Sequence, residues 1–307
     1  MFSVILYYKF HRIDDVDKFV KDQKVLCQAL GLFVRIYIAH EGINGTLAGK
    51  PEQIQCYQQY LCAVKGFEDT TFKEDACDDL PFVKLIVKSR PEIVALKSSI
   101  PLDPLTETAQ HLSPREWRKT LETEKDFLLL DVRNDYESRI GHFKGAVCPD
   151  REKFFDFEKW LDVSELDKNK KVLMYCTGGI RCEKFSVLMK KKGWENVFQL
   201  DGGIINYAQH ENGAHYQGKC FVFDDRLAVD VEKDQKEPLA RCEITGVPSD
   251  RYLNCANLDC NKLFICSEKG AQMFQGCCSQ ECEKSQRRRP FDAQNIYSPT
   301  RKKHLYQ

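Results

Sequence analysis

The sequence predicts an α/β protein in three parts: an amino-terminal α+β domain, a central parallel α/β domain and a carboxy-terminal cysteine-rich segment. Three observations predict this class. Residues 1–95 alternate strand-like and helix-like stretches, residues 112–217 place short apolar runs between helical stretches, and seven of the fifteen cysteines fall between Cys242 and Cys282. We expect a linker at 96–111 and a cysteine-rich region with a basic tail at 218–307.

The amino-terminal domain begins with a strand-like run at residues 2–9. Apolar residues at helical spacing predict a helix from Asp14, the expected N-cap, to Leu30, and Gly31 ends it. The remaining elements are expected as strands at 33–39, 42–49 and 82–88 and a helix from 51 to about 64. The resulting β-α-β-β-α-β order is the ferredoxin-like arrangement, which does not decide function because many binding proteins use it.

The central domain is predicted from unbroken apolar runs that lie between helical stretches. Strands are expected at 127–132, 172–175 and 197–200, and a helix at 182–192 that Gly193 ends. Four prolines between Pro91 and Pro114 predict an extended connection before this domain. Such alternation predicts a parallel sheet, whose functional residues lie where the carboxyl ends of the strands meet loops.

The strongest candidate site is the loop that follows the strand at 172–175. Gly178 and Gly179 permit a tight turn whose amide N–H groups point inward, toward the sulfur of Cys176. The next helix directs its positive end at the same point, and Arg181 adds a permanent cation. These effects lower the pKa of Cys176, as a nucleophilic thiolate or a persulfide requires. We therefore predict that Cys176 and Arg181 are catalytic, and that the active-site loop is completed by Thr177, Gly178, Gly179, Ile180 and Cys182.

The size of the loop favours a small occupant. Four residues separate Cys176 from Arg181, one fewer than in loops that cradle a phosphate, so a sulfur atom or a small oxyanion fits better. Cys182 is close enough to act as a resolving thiol, or it packs locally at the start of the helix. The structural alternative for Cys176 is an inert, buried cysteine beside a glycine turn.

Composition and charge restrict where the protein works. No apolar run approaches the length that spans a bilayer, and residues 1–9 lack the features of a secretory signal, so we expect a cytoplasmic protein without a membrane partner. In that compartment, fifteen cysteines indicate metal binding or thiol chemistry rather than disulfides. The formal net charge is zero, but the chain from Glu283 onward has seven basic and two acidic residues. This tail indicates a polyanionic partner or a solvated, disordered segment.

Several motifs resemble those of the rhodanese family over about residues 112–210. The stretch from Asp131 to Glu137 resembles the first family signature, Gly141–Val147 its Gly-His-x-x-Gly-Ala turn, and Leu200–Ile204 its closing segment. The loop from Cys176 resembles the active loop of the family. Asp131 and Arg133 are expected to support the loops as a buried ion pair.

A closer resemblance extends over nearly the whole chain. With the loop Cys176–Glu183, the sequence is similar to the bacterial tRNA uridine hydroxylases in the stretches His40–Thr46, Pro81–Lys88, Gly218–Asp224 and Tyr252–Asn257. The resemblance implies an oxygen-dependent enzyme that converts the wobble uridine 34 of tRNA to 5-hydroxyuridine, with Cys176 as the catalytic cysteine. It also implies that the anticodon region of tRNA is the partner and that molecular oxygen is a co-substrate.

The residues suit that chemistry without selecting one route. The Cys176 thiolate adds to C6 of uracil and makes C5 nucleophilic, or Cys176 reacts as a persulfide or a sulfenate. No dinucleotide fingerprint and no two-histidine-one-carboxylate iron site is evident, so the sequence gives no evident cofactor for the reaction. The candidates for substrate binding are Arg287, Arg288 and Arg289 in the basic tail and His40, Glu41 and Asn44, whose alternative is a hydrogen-bonded turn.

The cysteine-rich segment predicts a structural zinc site. In the family, this region offers paired cysteines, but Thr245 stands where Cys242 needs its partner, and Gly270 stands where Cys266 needs one. If the pairs were cross-braced, both losses would affect one site. The other site would be formed by Cys255, Cys260, Cys278 and Cys282, with Cys277 as a substitute for Cys278. The alternative is a metal-free cluster of thiols or disulfides.

Two other functions remain open at this stage. One is a sulfurtransferase in which Cys176 carries sulfane sulfur to an acceptor, and the other is a non-enzymatic RNA-binding module with a vestigial loop. The additional domains disfavour a simple sulfur carrier, and the intact Cys176 and Arg181 disfavour a vestigial site.

Overall fold

The computed structural model describes residues 1–232, 237–294 and 296–297. The chain divides into two compact units. One comprises Met1–Asn134 with Val147–Glu211, and the other comprises Asp135–Ala146 with Asn212–Gln307. Within the described residues, no helix combines the length and the apolar character needed to cross a bilayer.

The first unit begins with the ferredoxin-like domain, whose helices cover one face of a five-stranded sheet. Buried Ile5, Ile36 and Leu47 contribute to its core between sheet and helices. The elements are β1 (Phe2–Phe10), α1 (Val16–Ala29), β2 (Phe33–Ala39), β3 (Gly42–Gly49), α2 (Pro51–Cys62), β4 (Phe72–Cys77) and β5 (Leu85–Ser89).

The strand order β4-β1-β3-β2-β5 confirms the fold and corrects one assignment. The fourth strand of the ferredoxin-like motif is β4, which pairs antiparallel with β1 and was not predicted. The predicted strand at 82–88 corresponds to β5, which begins at Leu85 and adds parallel to β2 at the opposite edge. Periodicity missed β4 because Lys73, Glu74 and Asp75 make it a charged strand.

The start of α1 also differs from the prediction. The N-cap is Asp15 rather than Asp14, because the Asp15 carboxylate accepts a hydrogen bond of 2.9 Å from the Lys18 N–H. Asp14 instead accepts from the exposed side chain of Arg12. A carboxylate satisfies the free N–H groups of a first turn only from the cap position itself.

The second domain contains the predicted parallel sheet, in which β6 (Gln110–Leu112) pairs with β10 (Val197–Leu200), β10 with β9 (Lys171–Tyr175), and β9 with β7 (Phe127–Asp131). The segment predicted as a linker contains a short helix and β6, which pairs with β10. The elements in this part of the chain are α3 (Pro104–Glu107), β6 (Gln110–Leu112), α4 (Pro114–Thr123), β7 (Phe127–Asp131), α5 (Asp135–Ser138), β8 (Gly141–Phe143), α6 (Phe157–Val163), β9 (Lys171–Tyr175), α7 (Ile180–Lys191), β10 (Val197–Leu200) and α8 (Gly203–Glu211).

The second unit contains α5, β8 and the chain after Glu211. Its strands are short, and a core that includes Leu253, Phe264 and several cysteines contains residues of the antiparallel pair β13 (Tyr252–Asn254) and β14 (Leu263–Ile265). The remaining elements are β11 (Tyr216–Phe221), β12 (Ala228–Asp230), β13 (Tyr252–Asn254), β14 (Leu263–Ile265), α9 (Glu268–Met273) and α10 (Gln280–Glu283). The basic residues Arg301, Lys302 and Lys303 lie outside the described residues.

Candidate active site and thiol cluster

The cysteine loop connects β9 to α7 at the carboxyl end of a central strand. Gly179 has φ +102°, a conformation that favours glycine, and α7 begins at Ile180, two residues earlier than predicted. Gly203 at the start of α8 is required by close approach, because a Cβ there would lie 2.5 Å from the Cys176 carbonyl oxygen. The loop is therefore held from both sides by tight glycine turns.

The loop stabilises a thiolate at Cys176. The Gly179 N–H donates to the Cys176 sulfur over 3.1 Å. Burial alone would raise the pKa of Cys176, but a hydrogen bond from Cys182, the charge of Arg181 and two backbone N–H groups outweigh it and lower the pKa to about 5. Cys176 is consequently ionised at neutral pH, as the sequence predicts.

Cys182 has the opposite electrostatic environment. Burial and the adjacent Cys176 thiolate hold the pKa of Cys182 well above its ordinary value. Its thiol remains protonated and donates a hydrogen bond to Cys176. Cys182 is thus a hydrogen-bond donor to the Cys176 sulfur in this structure.

The loop is covered by β1 of the ferredoxin-like domain. A Cβ at Gly178 would lie 2.7 Å from Leu6 Cδ2, and one at Gly179 would lie 2.8 Å from the Tyr8 hydroxyl oxygen. Only glycine lets the two surfaces approach so closely. Cys176 is completely buried, so in this conformation the thiolate has its stabilising N–H groups but no contact with bulk solvent.

A carboxylate at the start of α7 ties the two domains together. Glu183 accepts hydrogen bonds from the Tyr8 hydroxyl at 2.8 Å and from the Thr108 hydroxyl at 2.5 Å, and it pairs with His111 Nε2 at 2.9 Å. Burial raises the pKa of Glu183, but these partners outweigh it and lower the pKa below the ordinary value. Glu183 is therefore a buried, ionised junction beside the loop.

A second junction contains one of the predicted substrate-binding residues. Lys184 is buried, and its ammonium lies 2.8 Å from Glu41 Oε2 and 2.6 Å from Glu92 Oε2. Nearby, Asn44 Nδ2 donates to the Ile93 carbonyl oxygen. These contacts stabilise the fold at the junction of the two domains.

His40 likewise makes a local contact. Its Nδ1 lies 2.9 Å from the Ile13 carbonyl oxygen. Such hydrogen bonds are those of a stabilised turn, which was the alternative for this group. Substrate binding by His40, Glu41 and Asn44 stays a prediction.

Asp131 and Arg133 form the expected buried ion pair at the end of β7. Their side chains are inaccessible to solvent, and Arg133 Nη2 lies 2.6 Å from Asp131 Oδ2. The guanidinium also packs over the Tyr175 ring, 5.7 Å from its centroid. The pair braces the residue that precedes Cys176, consistent with a supporting role.

The three arginines predicted to contact substrate brace the cysteine-rich segment. Arg289 Nη1 donates to the Cys255 carbonyl oxygen at 2.6 Å, and Arg287 Nη1 pairs with Asp259 at 2.5 Å. Arg288 is half-buried, and its Nη1 donates to Gln275 Oε1 at 3.4 Å. Phosphate contact by Arg287, Arg288 and Arg289 stays a prediction.

Four thiols converge in the second unit. The sulfurs of Cys255, Cys260, Cys278 and Cys282 lie within 4.8 Å of one another, and Cys278 is 3.8 Å from both Cys260 and Cys282. Zinc–sulfur bonds of about 2.3 Å at tetrahedral angles place sulfurs about 3.8 Å apart, so this donor set fits zinc. Cys277 is not among the four converging sulfurs, although its side chain is buried in the same core as Cys255.

The two incomplete cysteine pairs, Cys242 with Thr245 and Cys266 with Gly270, also lie close together. The Thr245 N–H lies 3.4 Å from the Cys242 sulfur. A Cβ at Gly270 would lie 2.8 Å from the Cys242 sulfur and 3.2 Å from the Cys266 sulfur. The first and third pairs therefore converge separately from the second and fourth, which is the cross-brace arrangement that the sequence left as a condition.

Family models match all three parts of the chain. Residues 2–93 match the UPF0176 acylphosphatase like domain, 113–210 the Rhodanese-like domain and 217–283 the Rhodanase C-terminal model. The solution structure of a rhodanese-like domain from Anabaena sp is 24% identical and covers 36% of this chain and 80% of that one, with a TM-score of 0.31. The parallel sheet, the cysteine loop and the match of residues 113–210 to the Rhodanese-like family model together define a rhodanese-domain protein.

Full-length relatives specify the family. A tRNA uridine(34) hydroxylase of Staphylococcus aureus (strain JH9) is 44% identical over 96% of this chain and 93% of the relative. Another, from Protochlamydia amoebophila (strain UWE25), is 40% identical over 99% and 95%. The chain belongs to the tRNA uridine(34) hydroxylase family, as the motifs indicate.

Sequence reasoning missed the site residues that come from outside the loop. Tyr8 and Lys73, whose ammonium lies over the Tyr8 ring, are on strands of the ferredoxin-like domain, and Glu183 follows Cys182, the last residue of the predicted active-site loop. The charged residues of strand β4 were the one sequence feature that could have drawn attention to Lys73. Without the sheet register, that signal could not be connected to Cys176.

Proposed function

We propose that this chain hydroxylates C5 of uridine 34 in tRNA, with molecular oxygen as the co-substrate and Cys176 as the nucleophile. The observation that carries the proposal is the stabilised thiolate, with the Gly179 N–H 3.1 Å from its sulfur, in a chain whose near full-length relatives are named for this reaction. As the substrate is tRNA, the cytoplasm is the corresponding compartment.

The first chemical step is addition of the Cys176 sulfur to C6 of uracil. An S–C6 bond forms, and the electron pair of the C5=C6 bond moves toward C5 and O4, which makes C5 nucleophilic. A pKa of about 5 supports this step because the sulfur needs no separate base at neutral pH. Arg181 and the amide N–H groups hold the thiolate in position before the base arrives.

The alternative step starts from an oxidised or sulfur-loaded Cys176. Cys182 supports it through its hydrogen bond to Cys176, because a neighbouring thiol can resolve a sulfenate or accept sulfur from a persulfide. The two routes differ in whether the uracil ring is bonded to sulfur. Isotope exchange at C5 distinguishes them.

Base recognition requires a nucleotide that leaves its stack. Wobble bases lie in a single-stranded loop, where splaying out costs little, and the anticodon region is therefore the substrate site we propose. The basic carboxy-terminal segment supplies phosphate contacts, which dominate affinity for RNA.

We also propose that Cys255, Cys260, Cys278 and Cys282 hold a structural zinc ion. The spacing of the sulfurs supports tetrahedral coordination, and no open position is left for chemistry on the metal. The ion would stabilise a unit whose strands are only three to six residues long.

The test is complementation of a bacterial strain whose tRNA lacks 5-hydroxyuridine. We expect the wild-type chain to restore 5-hydroxyuridine and its derivatives, measured by nucleoside mass spectrometry, and Cys176→Ser to abolish them. Cys56→Ser is the matched control, because Cys56 is an exposed cysteine on α2. Growth under labelled oxygen should transfer the label into the nucleoside.

Failure has distinct forms. Restoration by Cys176→Ser at the wild-type level would refute the role of this cysteine. No restoration by the wild-type chain, together with rapid thiocyanate formation from thiosulfate and cyanide, would identify a sulfurtransferase instead.

A further inference from the structure

We propose that Lys73 of the ferredoxin-like domain is a catalytic residue of the Cys176 site, where its ammonium binds O4 of uracil and stabilises the enolate formed by sulfur addition. This inference rests on the proposed function and deepens it. It assigns the amino-terminal domain a part in catalysis, through a residue outside the rhodanese loop.

The sheet register places Lys73 beside the loop. Lys73 on β4 is directly opposite Leu6 on β1, and residues directly opposite in a pair share one face of the sheet. Tyr8, two residues after Leu6, lies on that face as well. Leu6 and Tyr8 are the residues against the Gly178–Gly179 turn, so Lys73 belongs to the same surface.

The Lys73 ammonium is buried without a counterion. The residue is 7% exposed, and its Nζ lies 5.2 Å from the centroid of the Tyr8 ring. Within the described part of the chain, this ammonium has no hydrogen-bond or ion-pair partner. Burial of an unpaired charge is costly, and such groups are retained where they bind an anionic or polar ligand.

Lys73 is also within electrostatic reach of the reactive sulfur. Burial lowers the pKa of Lys73, while the negative charges of Asp201, Cys176 and Glu183 act in the opposite direction. Arg181 stabilises the same thiolate through its charge and backbone N–H. The site thus presents a thiolate with a second, unpaired cation nearby.

The electron flow during addition requires a cation at the far side of the ring. When the S–C6 bond forms, the C5=C6 pair moves into the C4–O4 group, and the negative charge develops on O4. An ammonium donor at O4 lowers the barrier because it binds this charge more strongly than the neutral carbonyl. No proton transfer or oxidant is needed in this step.

Exchange at C5 isolates this step from hydroxylation. The full-length protein is incubated with tRNA in D2O without oxygen. The enolate takes a deuteron at C5, loses the original proton and releases sulfur, so deuterium accumulates in uridine 34. We expect exchange with the wild-type chain and none with Cys176→Ser.

Lys73→Met should slow exchange at saturating tRNA by about 100-fold, as removal of an oxyanion donor does elsewhere. The Kd for tRNA should change little, and Lys73→Arg should recover part of the rate. Lys88→Met is the control, since Lys88 is an exposed lysine of the same domain. Circular dichroism verifies folding, and Lys73→Gln serves as the second variant.

Three results would overturn the proposal. If Lys73→Met exchanges deuterium at C5 as fast as the wild-type chain, Lys73 has no role in the addition step. Loss of tRNA affinity with an unchanged rate at saturation identifies a phosphate contact. Hydroxylation by the wild-type chain without any exchange excludes addition to C6 while the hydroxylase stands, whereas absence of both reactions means that the proposed function itself fails.

Discussion

The Tyr8 hydroxyl, on the first strand of the ferredoxin-like domain, donates a 2.8 Å hydrogen bond to Glu183, at the start of the helix that follows the cysteine loop. This bond joins residues 175 positions apart in sequence. Because its acceptor is ionised and partly desolvated, it belongs to the stronger class of hydrogen bonds. It connects the cover of the site to the helix that positions Arg181.

Tyr8→Phe should lower the free energy of unfolding by about 1.5–3 kcal/mol, the value of a hydrogen bond to a charged group. Urea denaturation measures this change. Tyr60→Phe is the control, because Tyr60 is 39% exposed and should change stability by less than about 0.5 kcal/mol. Equal stability of the two variants would show that the bond contributes nothing.

Leu6→Ala should increase access to Cys176. The Leu6 side chain packs against Gly178, and its truncation removes part of the cover while leaving the amide N–H groups in place. We expect iodoacetamide to alkylate Cys176 at least about tenfold faster, measured by peptide mass spectrometry, because reactivity needs exposure as well as a thiolate. Val83→Ala, at an exposed position, is the control. An unchanged rate would indicate that Leu6 does not limit access.

The ionisation of Cys176 should appear as a thiolate absorbance near 240 nm. The difference between the wild-type chain and Cys176→Ser should rise with pH around the lowered pKa of about 5 and remain constant through neutrality. An unperturbed thiol would titrate near 8.5. A difference signal that appears only above about pH 8 would contradict the stabilised thiolate.

The same lowered pKa has a consequence for stability. The folded state holds the anion more favourably than the unfolded chain, so the stabilisation is complete above the unfolded pKa. It is lost as the pH falls from the unfolded pKa toward and through the folded value of about 5. Unfolding titrations of the Cys176→Ser variant should therefore show a weaker loss of stability over this range than the wild-type chain.

Purified protein should contain about one zinc ion per chain, and Cys255→Ser should lose it. Elemental analysis measures the content, and a chelator should lower the melting temperature of the wild-type chain but not that of the variant. Cys56→Ser should retain the metal, because Cys56 is exposed on α2, outside the cluster. Wild-type protein without metal would favour a cluster of free thiols.

The paired substitutions Thr245→Cys and Gly270→Cys should create a second zinc site. They place sulfurs beside Cys242 and Cys266, which already converge. We expect about one additional zinc per chain and a higher melting temperature in zinc-containing buffer. Each single substitution supplies three thiols and is the matched control. Unchanged metal content in the double variant would show that the geometry does not permit coordination.

The sequence by itself determined most of the helices and strands, the cysteine loop and the two cysteine pairs, Cys255 with Cys260 and Cys278 with Cys282, that supply the zinc-binding candidates. Each depends on information that is local or has a fixed period: apolar spacing for strands and helices, the Gly178–Gly179 turn beside Cys176, and paired cysteines a few residues apart. Their physical causes act within one or two turns of chain. A pattern of adjacent residues is therefore sufficient to predict them.

Only the tertiary structure decided what surrounds the loop. The charged strand β4 carries no apolar period, and its pairing with β1 brings Lys73 to the face that Leu6 and Tyr8 present. The tertiary structure also placed Glu41 in an ion pair with the buried Lys184. In the cysteine-rich segment, it placed the Arg289 guanidinium against the Cys255 carbonyl oxygen. These contacts depend on packing between segments far apart in the chain, and the spacing of neighbouring residues does not encode them.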